Sequence, residues 1–120
     1  VFDVRFLDNP HWDPKLRPMT GLDPAVREAV EADAGFAGFF AGLTGLLRPL
    51  LPRYNHEGKS YLTVAVGCTG GRHRSVAVAA RLADWLREQG YRVGLQHRDL
   101  PAEEQPARRP EGAKDMDNPR

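Results

Sequence analysis

Apolar and polar positions alternate at the start of the chain. In VFDVRFL, Phe2, Val4 and Phe6 alternate with Asp3, Arg5 and Leu7, the period of a strand with one buried face. DNPHWDPKLRPMTG follows with three prolines and a closing glycine, which predicts an ordered loop rather than a helix. Asp23-Pro24 reads as an N-cap followed by proline in the first turn, opening a helix through AVREAVEAD. Phe36, Phe39, Phe40, Leu43, Leu46, Leu47, Leu50 and Leu51 then recur at helical spacing, and Pro52 is placed to end that helix. YLTVAVG is a continuous apolar, β-branched run, the pattern of a strand covered on both faces. A glycine-rich loop leads from it into an amphipathic helix over about residues 75–89, with Val78, Leu82 and Trp85 on one stripe and Gly90 at its end. YRVGLQH alternates again through Tyr91, Val93, Leu95 and His97. Strand, loop, helix and strand at this length predict a βαβ crossover and a sheet that is at least partly parallel. The fold class expected is α/β, a single domain with a mixed or parallel sheet and flanking helices.

Composition narrows the picture. The 120 residues, 41% of them hydrophobic, suffice for one small core. From Pro101 to Arg120 there is hardly an apolar side chain larger than Ala, and four prolines interrupt alternating charges; a disordered tail is expected there. Lys and Arg number 13 against 11 Asp and Glu over residues 1–100, and 4 against 5 in the tail, so bulk charge gives no argument for nucleic-acid binding. The single cysteine excludes an internal disulfide and a cysteine-based zinc site, and suits a reducing, cytoplasmic setting. No apolar run approaches the roughly 20 residues of a membrane span, so no membrane partner is expected. The chain opens without methionine, inside a strand-like run, as expected for a piece of a longer protein.

The chemistry concentrates in GCTGGRHRS, Gly67 to Ser75. A loop that leaves a buried strand and enters a helix presents free backbone N–H groups where the helix dipole adds positive charge. Gly70 and Gly71 permit positive φ and close approach of a ligand. Thr69 and Ser75 add hydroxyls, and Arg72, His73 and Arg74 add donors, a set suited to phosphate. Gly58-Lys59-Ser60 ends like a Walker A motif, but Arg53 stands where its first glycine belongs and the string precedes a strand; a surface turn is expected. Cys68, Gly71, Arg74 and Ser75 also fit the C-x-x-G-x-x-R-[ST] loop of the protein tyrosine phosphatases, which they resemble in spacing and in strand-to-helix context. Two readings of Cys68 follow: a thiolate nucleophile favoured by the helix N-terminus and by Arg72 and Arg74, or a small residue packed beneath the loop. The residue before it is glycine, where that family usually has histidine.

FLDNPHWDPKLRPMTGLDP, GKSYLTVAVGCTGGRHRSV and HRDL, at residues 6–24, 58–76 and 97–100, together resemble the C-terminal domain of the RapZ/YvcJ family of RNase adapter proteins. The resemblance covers about residues 1–100. It implies a fold like a phosphofructokinase subdomain, no catalysis and no cofactor in this domain, and a separate N-terminal P-loop domain that binds ATP or GTP. It also implies a site for glucosamine-6-phosphate or a related sugar phosphate, homo-oligomeric assembly, and partners that include small RNA and a ribonuclease. Carried over residue by residue, the sugar-phosphate site comprises Thr69, Gly70, Gly71, His73, Arg74 and Ser75 of the loop, with Asp3 and His11 from the first strand and the loop after it. Asp3 would favour an ammonium-bearing sugar; it is equally suited to pairing with Arg5 or Arg53. Trp12 and Trp85 are expected in the core. Arg72, Arg92, His97 and Arg98 are the candidates for RNA or a second anion. Members from enterobacteria follow HR-x-L with a basic tail, whereas Glu103 and Glu104 stand here, which weakens the expectation of RNA binding.

Overall fold

The computed structural model describes residues 1–58 and 62–105. Among the described residues three helices pack around a two-stranded parallel sheet: β1 (Phe2–Asp3), α1 (Pro24–Glu31), α2 (Phe36–His56), β2 (Val66–Gly67) and α3 (Arg74–Glu88). β1 and β2 pair with Phe2 opposite Val66 and Asp3 opposite Gly67. The ladder runs slightly beyond the strands, because the Phe2 amide donates to the Ala65 carbonyl at 2.8 Å and the Val4 amide to the Gly67 carbonyl at 2.9 Å. The expected α/β class with a parallel sheet is therefore present in reduced form.

The sheet differs from expectation in three places, each for a physical reason. VFDVRFL is extended only at its start; the Leu7 amide turns back to the Val4 carbonyl, so Val4 and Leu7 enter the core while Phe6 faces outward. A turn spaces buried positions by three instead of two. Among the described residues of YLTVAVG, Val64 and Val66 are half-buried while Leu62, Thr63, Ala65 and Gly67 are exposed: residues 62–67 are covered on one face, not both. YRVGLQH keeps its alternation, with Tyr91, Val93, Leu95 and His97 more buried than the residues between them, but no strand forms among residues 91–97. The parallel neighbours are thus β1 and β2, and the crossover between them carries α1 and α2.

The helices follow their sequence signals more closely. Asp23 precedes Pro24 at the head of α1 as expected, yet its carboxylate accepts from the Thr20 amide at 2.9 Å and from no amide of the helix. Val26 and Val30, one turn apart, fill the core side of α1. α2 does not stop at Pro52 but continues through Pro49 and Pro52 to His56. Each proline removes one amide donor, which orphans the carbonyl four residues earlier; those carbonyls belong to Gly45 and Arg48, both exposed and so open to solvent. Phe36 and Phe40 stack at 5.4 Å, and Phe39 meets Phe2 and Phe6 edge-on. α3 is buried on most of its circumference, including Val76, Ala77, Val78, Leu82 and Trp85. It ends at Gly90, whose φ of 93° takes the left-handed conformation of a helix-terminating glycine.

Side-chain links fix the helices to each other. Arg27 on α1 reaches Asp84 on α3 at 3.0 Å, and Arg48 and Arg81 lie over the rings of Trp85 and Phe40. Trp85 is core as expected, but Trp12 retains 75% of its surface; it rides on a 3-10 turn, Pro10–Trp12, with its edge contact to His11. A short turn at Ala102–Glu104 lies within the stretch expected as tail, while the rest of that stretch, 106–120, and Lys59 and Ser60 lie outside the described residues. Among the described residues no single helix is long and apolar enough to cross a membrane.

Candidate functional site

The loop between β2 and α3 sits at the carboxyl ends of both parallel strands, because Asp3 and Gly67 close their strands side by side. In α/β folds this edge is where strand-end loops gather and ligands bind. Gly70 and Gly71 have φ of 80° and 66°, the left-handed region that glycine enters without a side-chain penalty. Among the described residues no acceptor takes the amides of Gly70, Gly71 or Arg72. The turn at Thr20–Gly21 braces the loop from behind: the Gly21 amide donates to the Arg72 carbonyl at 2.8 Å, and a methyl group at Gly21 would collide with the Ala77 amide and the His73 carbonyl. Only glycine permits that approach, a requirement the sequence marked merely as the end of a loop.

Cys68 is half-buried and belongs to the loop's internal structure. Its Sγ accepts from the Ser75 amide at 3.2 Å, so the sulfur occupies one of the free donors of the first turn of α3, and it packs against the hydrophobic core. Ser75 itself is buried. His73 is buried too, its Nε2 lying 3.2 Å from the Arg17 carbonyl. Arg17 in turn donates from Nε to the His11 carbonyl at 2.7 Å. Through Arg17, the loop that carries His11 is tied to the head of α3, although the His11 ring itself is exposed.

Arg74 turns inward. It is 5% exposed and donates from one terminal nitrogen to the carbonyls of Arg5 and Leu7, at 2.8 and 3.0 Å. It thereby satisfies the backbone where the chain leaves β1 and turns, while its Nε has no partner. Asp3 is exposed and held by Arg5 through both carboxylate oxygens, at 2.7 to 3.0 Å. The hydrogen bond from Arg5, with Arg74 adding a weaker pull, keeps the Asp3 carboxyl below its ordinary value of 3.8. Of the two pairings open to Asp3 on the sequence, Arg5 is the one formed. Thr69 is exposed.

The third segment, HRDL, folds back onto the same loop. The Asp99 carboxylate lies against Gly71, occupying the space a side chain there would need. Arg72 pairs with Glu104 at 3.4 Å, and the exposed Arg98 with Asp99 at 3.5 Å. Gln105 holds the segment in place: its Oε1 accepts from the His97 amide at 2.9 Å, and its Nε2 donates to the carbonyls of Leu100, at 2.7 Å, and of His97. His97 is buried with Nε2 unpartnered, and burial pushes its imidazole below the ordinary 6.5. Of the four residues expected to meet RNA or a second anion, Arg92 and Arg98 are exposed, Arg72 is half-buried in its pair with Glu104, and His97 is interior. Among the described residues no group of three or more His, Cys, Asp or Glu is placed to hold a metal ion.

A glycine loop at paired strand ends that opens the core helix defines a small α/β domain. The chain belongs to the RapZ C-terminal domain family, whose pattern it matches over residues 1–101. It is 71% identical over 100 residues to a nucleotide-binding protein of Rhodospirillum centenum, 62% to one of Paramagnetospirillum magneticum, and 59% over 101 residues to one of Symbiobacterium thermophilum. These alignments cover 83 to 84% of this chain but only 30 to 33% of the relatives; the chain spans about a third of their length.

Asp99, Arg17 and Gln105 shape the site without a signal in the sequence, and Glu104, weighed there only against RNA, pairs with Arg72. HRDL stood out as a motif, but its acidic member carried no signal of its own. The links made by Arg17 and Gln105 run to backbone carbonyls, which no side-chain pattern announces.

Proposed function

We propose that this domain is the metabolite-sensing, non-catalytic part of a RapZ-like regulatory adapter, binding an amino-sugar phosphate such as glucosamine-6-phosphate at the Gly70-Gly71 loop. The observation that carries this reading is the pair of positive-φ glycines with unpaired amides at the joined ends of β1 and β2. The phosphate would lie on these amides and the Thr69 hydroxyl, and the sugar would extend toward His11 and Asp3. The cradle then resembles a phosphofructokinase subdomain in how it receives a sugar phosphate. Arg74 and Ser75 support it from within, since both are buried in the first turn of α3.

Absence of catalysis is supported by the direction of Arg74. A cysteine-dependent phosphatase needs its loop arginine to clamp the transferred phosphoryl group, and here one terminal nitrogen of Arg74 is held by two carbonyls of the β1 exit, which leaves the guanidinium less free to do so. The relatives' name, nucleotide-binding protein, fits a nucleotide site in the part of those proteins that this chain does not span. In the parent protein, as we read it, the domain couples sugar-phosphate binding to homo-oligomeric assembly and to RNA and ribonuclease partners. Arg92 and Arg98 offer exposed charge for RNA phosphates, whereas Glu103 and Glu104 oppose them.

Calorimetric titration with glucosamine-6-phosphate tests the reading. Binding is expected, weakened about tenfold in Thr69→Val, the order expected from losing one hydrogen bond to a charged group. An absence of heat and of thermal stabilisation at about 100 times a micromolar Kd would end it, because ligand in such excess must raise unfolding stability measurably.

A further inference from the structure

Against the loop that offers unpaired amides lies a carboxylate that the proposed phosphate does not require. Asp99 lies on Gly71 so closely that a side chain at Gly71 could not share the space. The segment that carries it is held against the loop by its neighbours. Leu100 beside it is buried, the Gln105 side chain bridges His97 and Leu100, and Glu104 pairs with Arg72 of the loop itself. The charge of Asp99 is nearly uncompensated, since its partner Arg98 is 92% exposed and 3.5 Å away, a contact of little strength in water. Asp3, the other carboxylate at this edge, has both oxygens engaged by Arg5.

We propose that Asp99 is a specificity-determining residue of the glycine loop, selecting phosphate esters that bring their own ammonium group over esters of the same shape without one. A bare phosphate dianion on the Gly70-Gly71 amides lies beside a fixed negative charge and is repelled by it. A ligand with an ammonium within reach of Asp99 turns that repulsion into an ion pair, so the carboxylate discriminates by charge and not by size. The inference rests on the anion site proposed above. It differs in assigning the selection to a residue on the HRDL segment, which the strand-end carboxylate Asp3, already paired, is less free to perform.

The test is a comparison of two probes that differ in one group, glucosamine-6-phosphate and glucose-6-phosphate, titrated calorimetrically into the wild-type chain, Asp99→Asn and Asp3→Asn. Asparagine keeps the shape at Gly71 and removes only the charge. An exposed ion pair shifts an equilibrium by up to about fivefold. The wild type should therefore prefer the amino sugar by about that factor, Asp3→Asn should keep the preference, and Asp99→Asn should bind the two sugars within about twofold of each other. A wild-type preference that survives in Asp99→Asn overturns the proposal while leaving the anion site standing. Binding of neither sugar to the wild type overturns both.

Discussion

Arg74 shows how one residue serves a loop from behind. Its sequence position matches an arginine that clasps phosphate, and one terminal nitrogen of its buried guanidinium bonds the carbonyls of Arg5 and Leu7. Truncating it removes the donor from two carbonyls at the turn after β1, and charge-assisted bonds of this kind are worth about 1.5 to 3 kcal/mol each. Arg74→Ala should accordingly lower unfolding stability by about 3 kcal/mol in urea denaturation. An unchanged midpoint would show that the turn at residues 4–7 does not depend on the bond. Cys68 illustrates the same point at smaller scale. Its sulfur accepts the Ser75 amide within the loop, a bond open to a packed thiol and to a thiolate alike.

At the level of elements, α2 is the least expected. It runs through two prolines, and it carries Gly38, Gly42 and Gly45 on a side where a methyl group would meet nothing within 4 Å. Glycine inside a helix costs about 0.5 to 1 kcal/mol relative to alanine because it loses more backbone freedom on folding. With open space at the position, Gly42→Ala should raise stability by about that amount, read as a shift of the denaturation midpoint. A loss instead would show that the backbone at Gly42 is approached closely in solution. Helix α3 was legible almost to the residue because its stripe, its glycine stop and its place after an apolar run all agree. The strands were much less so. Their apolar residues were correctly seen, but a run of Val and Ala has the same composition whether it is buried on one face or two, and only the neighbouring elements decide.

For the whole molecule, pH dependence follows from where His97 lies. Burial holds its folded value below 6.5, so between that value and 6.5 the unfolded chain binds a proton that the folded chain refuses. Stability is therefore full above about pH 6.5 and declines as pH falls below it. Asp3, lowered by Arg5, adds a further loss only at acid below its ordinary 3.8. Denaturant midpoints compared between pH 7.5 and 5 should fall for the wild type and fall less for His97→Gln; equal slopes would mean that His97 is solvated in solution. The boundary of the domain also shifts at this scale. The family match closes at residue 101, yet the turn at Ala102–Glu104 and the Gln105 bonds to His97 and Leu100 belong to the same ordered body.

The sequence alone determined the helices, the glycine loop and its place between strand and helix, and the family, since all of these depend on local periodicity, on residues with special backbone freedom, and on short motifs. The tertiary structure decided which side of the loop each charge occupies. Arg74 faces inward, Asp3 is paired to Arg5, Trp12 is exposed, and Asp99 rests on Gly71. These outcomes depend on contacts between segments far apart in the chain. Several end on backbone carbonyls or on the empty space of a glycine, which have no identity in a sequence of side chains.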